Sequence, residues 1–218
     1  MKKRKDIIKV AIDSPAASGA GTQSKLISDH YNLLNLDTGK IYRFIGHLKT
    51  SSKKKFSYNL IRKKMKNLKL KSLKNKNLLS DKVAQEAASI SKDKKIRKIV
   101  HNFQLQCAYN PPKKFNGSCL DGRDITYKII PDADFKFYIT ASVKIRAYRR
   151  FKELKKIDKK VTFKEVLKSL KKRDKSDKNR KLSKLKKTRD SILINTSNLS
   201  KRACFLKIKS IMDRKTKN

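Results

Sequence analysis

Tryptophan is absent from the chain, and cysteine, histidine and acidic side chains are scarce. Three cysteines, Cys107, Cys119 and Cys204, are too few and too widely spaced for a disulfide framework or a C-x-x-C metal site, and they suit a reducing compartment. His30, His47 and His101 form no ligand pattern with them, so all six read as ordinary surface or core residues and no metal site is inferred. No apolar stretch approaches the length of a membrane span. The basic start Met1-Lys2-Lys3-Arg4-Lys5 leads into an apolar segment that ends at Asp13, too soon for a signal-peptide core and cleavage site. The expectation is a soluble cytoplasmic protein with no membrane partner.

Against 18 acidic residues stand 60 basic ones, a formal net charge of +42. Such an excess can be the footprint of a nucleic-acid binder, because clustered Lys and Arg neutralise phosphates and release counterions. Here the lysines run through nearly every segment, and no aromatic stacking motif or zinc-finger spacing accompanies them. The charge is read as a proteome-wide lysine bias, of the kind an AT-rich genome produces, with nonspecific polyanion binding but no specific nucleic-acid partner. Hydrophobic residues make up 37% of the 218, enough for a core and for one sizeable domain with a small appendage.

Short apolar strands alternate with helical patterns, the sequence form of a parallel sheet covered by helices. Strands are expected at 7–12, 33–36, 118–120, 135–140 and 191–195. Helices are expected to begin near Gly21, Lys40, Asp81, Ser142 and Thr162, and after Ser200. Thr162 with Glu165 three residues on forms a capping box that leads into the apolar face Phe163, Val166, Leu167 and Leu170. Residues 50–76 are almost saturated with lysine and serine, so they are expected to form an exposed insert.

From Ile8 to Thr22 the chain reads as a strand running into a phosphate-binding loop. The pattern G-x-x-x-x-G-K-[ST] wraps backbone N–H groups around phosphate oxygens, sends its lysine to the β/γ-phosphates and adds the dipole of a helix N-terminus. Ser14, Pro15, Ala16, Ala17, Ser18, Gly19, Ala20, Gly21 and Thr22 keep that frame, with Ser14 at the first glycine and Ala20 where the lysine belongs. The same residues also read as an ordinary strand-turn-helix connection of an α/β domain.

Three further clusters carry chemistry. Leu36-Asp37-Thr38-Gly39-Lys40-Ile41-Tyr42-Arg43 sets a hydroxyl, a glycine turn and an arginine at the carboxyl end of the second strand, where open α/β sheets bind ligands. Asp121-Gly122-Arg123-Asp124 repeats the arrangement after the third strand, with a guanidinium suited to phosphate and a carboxylate able to accept from an amino group. Both patterns are also those of plain turns. The run from Arg173 to Arg180, if helical, places Arg173, Asp177 and Arg180 on one face, or else forms a solvated charged surface.

Taken in order, these segments resemble the bacterial-type cytidylate kinases, nucleoside-monophosphate kinases of the P-loop class. That family carries I-A-I-D-G-P-A-x-S-G-K-G/S-T, then L-D-T/S-G-x-x-Y-R, then D-G-R-D followed by P-D-A, then R-D-x-x-D-x-N-R. The chain has Ala11 to Thr22, Leu36 to Arg43, Asp121 to Asp124 with Pro131-Asp132-Ala133, and Arg173 to Arg180, in the same order and with similar spacing. Ala87-Ala88-Ser89 with Ile96-Arg97 is similar to the family's A-A-S and V-R. Only residues 50–76 match poorly.

The resemblance implies an α/β P-loop nucleoside-monophosphate kinase fold: a parallel five-stranded sheet flanked by helices, with a small monophosphate-binding insertion and a helical lid. It divides the chain into a core, 1–49 and 77–218, that includes a lid near 155–185, and the insert at 50–76. The implied reaction moves the γ-phosphoryl group of ATP to CMP or dCMP, giving the diphosphate and ADP, with Mg2+ accompanying ATP and the protein acting as a monomer. ATP falls on the loop from Ser14 to Thr22. The monophosphate site maps onto Thr38, Arg43, Ser89, Arg97, Arg123, Asp124 and Asp177, with Arg173 and Arg180 on the lid. Arg43 and Arg123 suit the phosphate, Ser89, Arg97 and Asp124 the polar edge of cytosine, and Asp177 a sugar hydroxyl. Ala88 competes with Ser89 for its slot, because the spacing from Ser89 to Arg97 is one residue short.

Several positions depart from the family pattern. Ser14 replaces a loop glycine, Thr126 stands where glycine is usual, Ser176 replaces a common lid arginine, and Ala20 removes the loop cation. An inactive relic that binds nucleotides or RNA, slow turnover on lid arginines and magnesium alone, or a relocated lysine each answer the last departure. Lys40 is the candidate for relocation, because the family usually has a small residue there. A kinase of another acceptor, such as UMP or AMP, is the remaining alternative.

Overall fold

The computed structural model describes residues 7–51, 56–156 and 158–216. The basic start, part of the 50–76 segment, one residue of the expected lid and the last two residues lie outside them. Five strands, β1 (Ile8–Asp13), β2 (Leu33–Asp37), β3 (Gly117–Gly122), β4 (Phe135–Thr140) and β5 (Ile192–Asn195), form one sheet in the order β2-β3-β1-β4-β5. All four pairings are parallel. Parallel sheets need both faces covered, and the helices α1 (Ala20–Tyr31), α2 (Thr38–Ser51), α3 (Tyr58–Lys66), α4 (Asp81–Ile90), α5 (Lys94–Tyr109), α6 (Val143–Lys155), α7 (Phe163–Asn179) and α8 (Lys201–Thr216) provide the cover.

Two apolar clusters fill the space between sheet and helices. One joins Leu34, Leu36 and Leu120 to Ile41 and Ile45 of α2 and Val100 of α5. The other joins Val10, Ile12, Phe137 and Ile139 to Ile27 of α1 and to Ile208 and Met212 of α8. A smaller third cluster, Ala16, Ala147, Val166 and Leu170, packs α6 and α7 against the loop after β1. Strand β3 is buried throughout, whereas β5, at the sheet edge, leaves Ile192 and Leu193 exposed.

The structure departs from the sequence expectation in three places. Strand β3 runs on to Gly122 and β2 to Asp37, so Asp121 and Asp37 belong to strands rather than turns and face each other in register. Helices α3 and α5 were not anticipated. Asp93 opens α5 by accepting from the N–H of Lys95 at 2.7 Å and of Ile96 at 3.0 Å, a strong N-cap. The lysines described in 50–76 are exposed, but Ile61, Met65 and Leu73 in the same segment are buried in the first cluster. The capping box forms as read, with Glu165 N–H donating to Thr162 Oγ at 3.3 Å and Thr162 N–H donating to Glu165 Oε2 at 3.1 Å.

No helix among the described residues is long and apolar enough to cross a membrane. The three cysteines are buried free thiols.

Candidate active site

The loop after β1, Asp13, Asp37 and Asp121 to Asp124 lie at the carboxyl ends of the strands, the usual ligand edge of an open α/β sheet. The loop after β1 holds two left-handed residues, Ala17 at φ 60° and Gly19 at φ 90°, a conformation that costs glycine little and alanine more. Gly19 stands at the N-cap of α1 and has no side chain to cap it, and the N–H of Ala20 reaches only Ser18 Oγ at 3.4 Å. Loop carbonyls are held from outside: Arg146 donates to Ala16 O at 3.1 Å and the Thr196 hydroxyl to Ser18 O at 2.8 Å. Ser14 N–H donates to Gly122 O at 3.1 Å, tying the loop to β3. Ser14, Pro15, Ala16, Ser18 and Ala20 are buried, Ala17 and Gly19 half-buried, and Gly21 and Thr22 exposed. Ala20 sits in the second apolar cluster, so no cation arises at the lysine position.

Two arginines of α6 brace the loop, and sequence reading did not single them out. Arg146 also grips Asp174 of α7. Arg149 donates to Thr196 Oγ1 at 2.9 Å and Thr196 O at 2.6 Å, and its guanidinium lies 4.0 Å from where a Cβ on Gly19 would stand. Their only signal was an arginine-rich helix after the fourth strand; the contacts span far too much chain for spacing to reveal them.

Asp13 at the end of β1 is fully buried and accepts from Ile125 N at 2.8 Å, Thr126 N at 3.0 Å and Thr126 Oγ1 at 2.6 Å. Burial pushes its carboxyl up to about 6, against the pull of these donors. Thr126, the departure from glycine, therefore adds a hydroxyl donor that fastens the turn after β3.

That turn carries Arg123 and Asp124 and is met there by Thr38 of α2 and Arg97 of α5, all four expected from the sequence at one site. Thr38 is buried and donates its hydroxyl to Asp121 O at 2.8 Å, so it is first a strut between β2 and β3. Gly122 admits no side chain, since a Cβ there would stand 2.5 Å from Thr38 Oγ1. Arg123 donates from Nε to Asp177 Oδ2 at 2.8 Å, and Arg97 from Nη2 to Asp124 Oδ2 at 2.6 Å. Burial opposes charge on Arg123, but Asp177, with Asp121 and Asp37, outweighs it and raises the guanidinium's pKa. Arg97 also stacks over the Tyr42 ring at 5.5 Å and donates to Ser91 O at 3.1 Å. A cavity of about 260 Å3 opens beside this pair, lined by His101, Gln104 and Lys128 among others.

The remaining candidates are less uniformly gathered. Arg43 donates to Leu78 O at 2.8 Å. Ser89 lies on the exposed side of α4, as does Ala88, and the residue of that segment that meets Arg97 is Ser91, through its carbonyl. Helix α7 ends at Asn179, so Arg180 is its extended C-cap and not part of a continuous helical face with Arg173 and Asp177. Arg180 still approaches Asp177 Oδ1 at 3.7 Å and donates from Nε to Ser183 O at 2.5 Å. Arg173 is exposed on α7, and desolvation together with the like charge of Arg123 lowers its pKa while leaving it a cation.

Asp37 and Asp121 are register partners on β2 and β3. Burial and then Asp37 hold the Asp121 carboxyl well above its ordinary pKa, opposed by Arg123, Ser24 and Lys40. Asp121 Oδ2 is buried with no hydrogen-bond partner among the described residues, and lies 4.0 Å from the Cβ position of Gly21. Lys40 is half-buried in the first turn of α2, its N–H directed to Asp37 Oδ1 at 3.3 Å. No group of three or more His, Cys, Asp or Glu among the described residues could hold a metal ion. The two aspartates are hard oxygen donors that fit a cation drawing its other ligands from phosphate and water, as Mg2+ does.

A family model described as cytidylate kinase matches residues 10–214. The chain is 38% identical to a protein named cytidylate kinase from Bartonella tribocorum, over 94% of each chain. It is 36% identical to one of the same name from Thermosipho melanesiensis, over 96% of this chain and 98% of the relative. A cytidylate kinase from Mesomycoplasma hyopneumoniae is 34% identical over 95% of this chain and 94% of its own.

Proposed function

The chain belongs to the cytidylate kinase family, and from that premise we propose how its residues transfer the γ-phosphoryl group of ATP to CMP or dCMP. The observation that carries the reading is the Arg97–Asp124 pair at 2.6 Å. A carboxylate accepts from the exocyclic amino group of cytosine, and the neighbouring guanidinium donates to the ring's acceptors. Uracil would turn a carbonyl oxygen toward Asp124, a repulsive contact that selects against it.

Phosphoryl transfer asks the protein for alignment and for charge compensation at the transferring oxygens. Residues 14–22 cradle the ATP phosphates with backbone N–H groups. Arg43 and Arg123 fork onto the acceptor phosphate, and Asp177 takes a sugar hydroxyl, exchanging its ion pair with Arg123 for substrate. Thr38 holds this edge in shape, and Ser89 or Ala88 flanks the base. Arg173 and Arg180 bring cations from the lid, taken as 155–185. Kinases of this kind generally use Mg2+ with ATP; Asp37 and Asp121 would hold it, and it would neutralise charge on the phosphate oxygens. The protein is proposed to act in the cytoplasm as a monomer, with no specific nucleic-acid partner.

The test is ADP formation by the purified protein with ATP, Mg2+ and each of CMP, dCMP, UMP and AMP, at moderate salt to suppress polyanion binding. Turnover with CMP and dCMP, at a kcat/KM at least about tenfold above that for UMP and AMP, is expected from one well-read base contact. Equal turnover of all four, or none with any, overturns the reading.

A further inference from the structure

We propose that Lys40 supplies, from the acceptor side of the site, the phosphate-binding cation that Ala20 no longer provides. The inference rests on the kinase reading above and names a residue for its charge compensation.

A phosphate loop built as this one is leaves its lysine position at the first residue of the following helix. Here that residue is Ala20, buried among Val10, Ile12 and Ile27. The arginines nearest the loop cannot simply step in. Arg146 is held by Asp174 and by Ala16 O, and Arg149 by the hydroxyl and carbonyl oxygens of Thr196.

Lys40 is differently placed. It lies in the first turn of α2, the helix that leaves β2 at the same sheet edge as the loop. β2 and β1 are separated only by β3, so two strand spacings, about 10 Å, divide their ends. A lysine's flexible four-carbon stem crosses much of that distance. Two observations relate it to the loop. The charge of Lys40 acts on Asp121, and the Oδ2 of Asp121 lies 4.0 Å from the Cβ position of Gly21, the residue after Ala20. No hydrogen bond or ion pair engages the Lys40 ammonium among the described residues, while its backbone is anchored through N–H to Asp37 Oδ1 at 3.3 Å. The side chain thus has a fixed root and an unengaged head whose charge acts on the carboxylate that borders the loop helix.

Approach from the acceptor side has its own consequence. A loop lysine travels with the donor phosphates, whereas Lys40 is rooted next to Thr38 and three residues from Arg43, on the acceptor wall. It therefore compensates charge as the phosphoryl group moves between the two nucleotides, and its loss falls on kcat more than on the KM for CMP.

The experiment compares the full chain with Lys40→Met, Ala20→Lys and the double variant. Each is checked by thermal melting, then assayed for turnover with ATP, Mg2+ and CMP, and for equilibrium binding of ATP without CMP. Lys40→Met keeps the stem and removes the charge. Expected are a fall in kcat of about 100-fold, in line with removal of one transition-state electrostatic group, a fall in ATP affinity of about tenfold, and at least partial recovery of both when Ala20→Lys is added. A purely structural Lys40 would not be rescued by a lysine on another helix. A folded Lys40→Met variant within about threefold of the parent in both turnover and ATP binding overturns the proposal. If the parent chain turns over no monophosphate yet loses ATP affinity on Lys40→Met, the acceptor reading fails while the role of Lys40 stands.

Discussion

Arg146 of α6 donates to both carboxylate oxygens of Asp174 of α7, at 3.0 and 2.5 Å. The same guanidinium reaches Ala16 O in the phosphate loop at 3.1 Å. One buried side chain thus couples the helix that carries Asp177 to the loop proposed to carry ATP.

Replacing Arg146 by alanine is expected to destabilise the fold by about 3 kcal/mol, the scale for stranding one partner of a buried pair. Urea unfolding measures the loss. Arg146→Lys keeps the charge but not the fork, so it is expected to recover only part of the stability and to leave the KM for ATP raised.

Asp124→Asn exchanges an acceptor-only group for one that also donates. The kcat/KM for CMP is expected to fall roughly 10- to 100-fold, the scale of one bidentate base contact, and the ratio of CMP to UMP turnover to move toward one. A variant that loses both substrates in equal proportion would assign Asp124 to structure, as the holder of Arg97.

Asp13 gives stability a pH dependence of definite sign. Burial raises its carboxyl to about 6 in the folded protein, above its value in the unfolded chain. Between about pH 4 and 6 the folded state therefore binds more protons than the unfolded one, and the Asp13 contribution falls as pH rises through that window, by about 3 kcal/mol in all. Chemical denaturation of the parent and Asp13→Asn across pH 4 to 7 measures it: the parent's stability relative to the variant is expected to decline through the window and then level off.

Gly122→Ala pushes a methyl against Thr38 Oγ1 at 2.5 Å and Ile125 Cδ1 at 2.8 Å. Overpacking of this kind costs about 2 kcal/mol, a drop in Tm of about 4 to 8 °C for a chain of this length. Differential scanning calorimetry reads it directly, and Thr38→Ala in the same chain is expected to return part of the loss.

What the sequence discloses is local. The strand-loop-helix at Ile8 to Thr22, the capping box at Thr162 and Glu165, and the order of the motifs are legible because each is set by neighbours in the chain. Asp121 and Gly122 are turn-favouring residue types, yet lie in β3 because Asp121 pairs with both β1 and β2 and Gly122 with β1. Arg180 has helical spacing from Arg173 but adopts an extended conformation, where its Nε reaches Ser183 O. Helix α5 went unread although its signal is local: Asp93 caps it by accepting from the N–H of Lys95 and Ile96, ahead of apolar Ile96, Val100 and Phe103. The braces on the loop from Arg146 and Thr196 had no such sign, since their partners lie 130 and 178 positions away.

The exposed edge at β5 bears on how molecules of this protein meet one another. Ile192 and Leu193 stand 40% and 51% exposed on a strand hydrogen-bonded on one side only, the kind of template that recruits a second strand. Two copies approaching through that edge each carry a net charge of +42, and their repulsion acts before the strands can pair. At physiological ionic strength this shield reaches only about 8 Å from the surface, and about 3 Å in molar salt. The lysine excess thus doubles as a colloidal guard on an otherwise sticky border, one that concentrated salt dissolves.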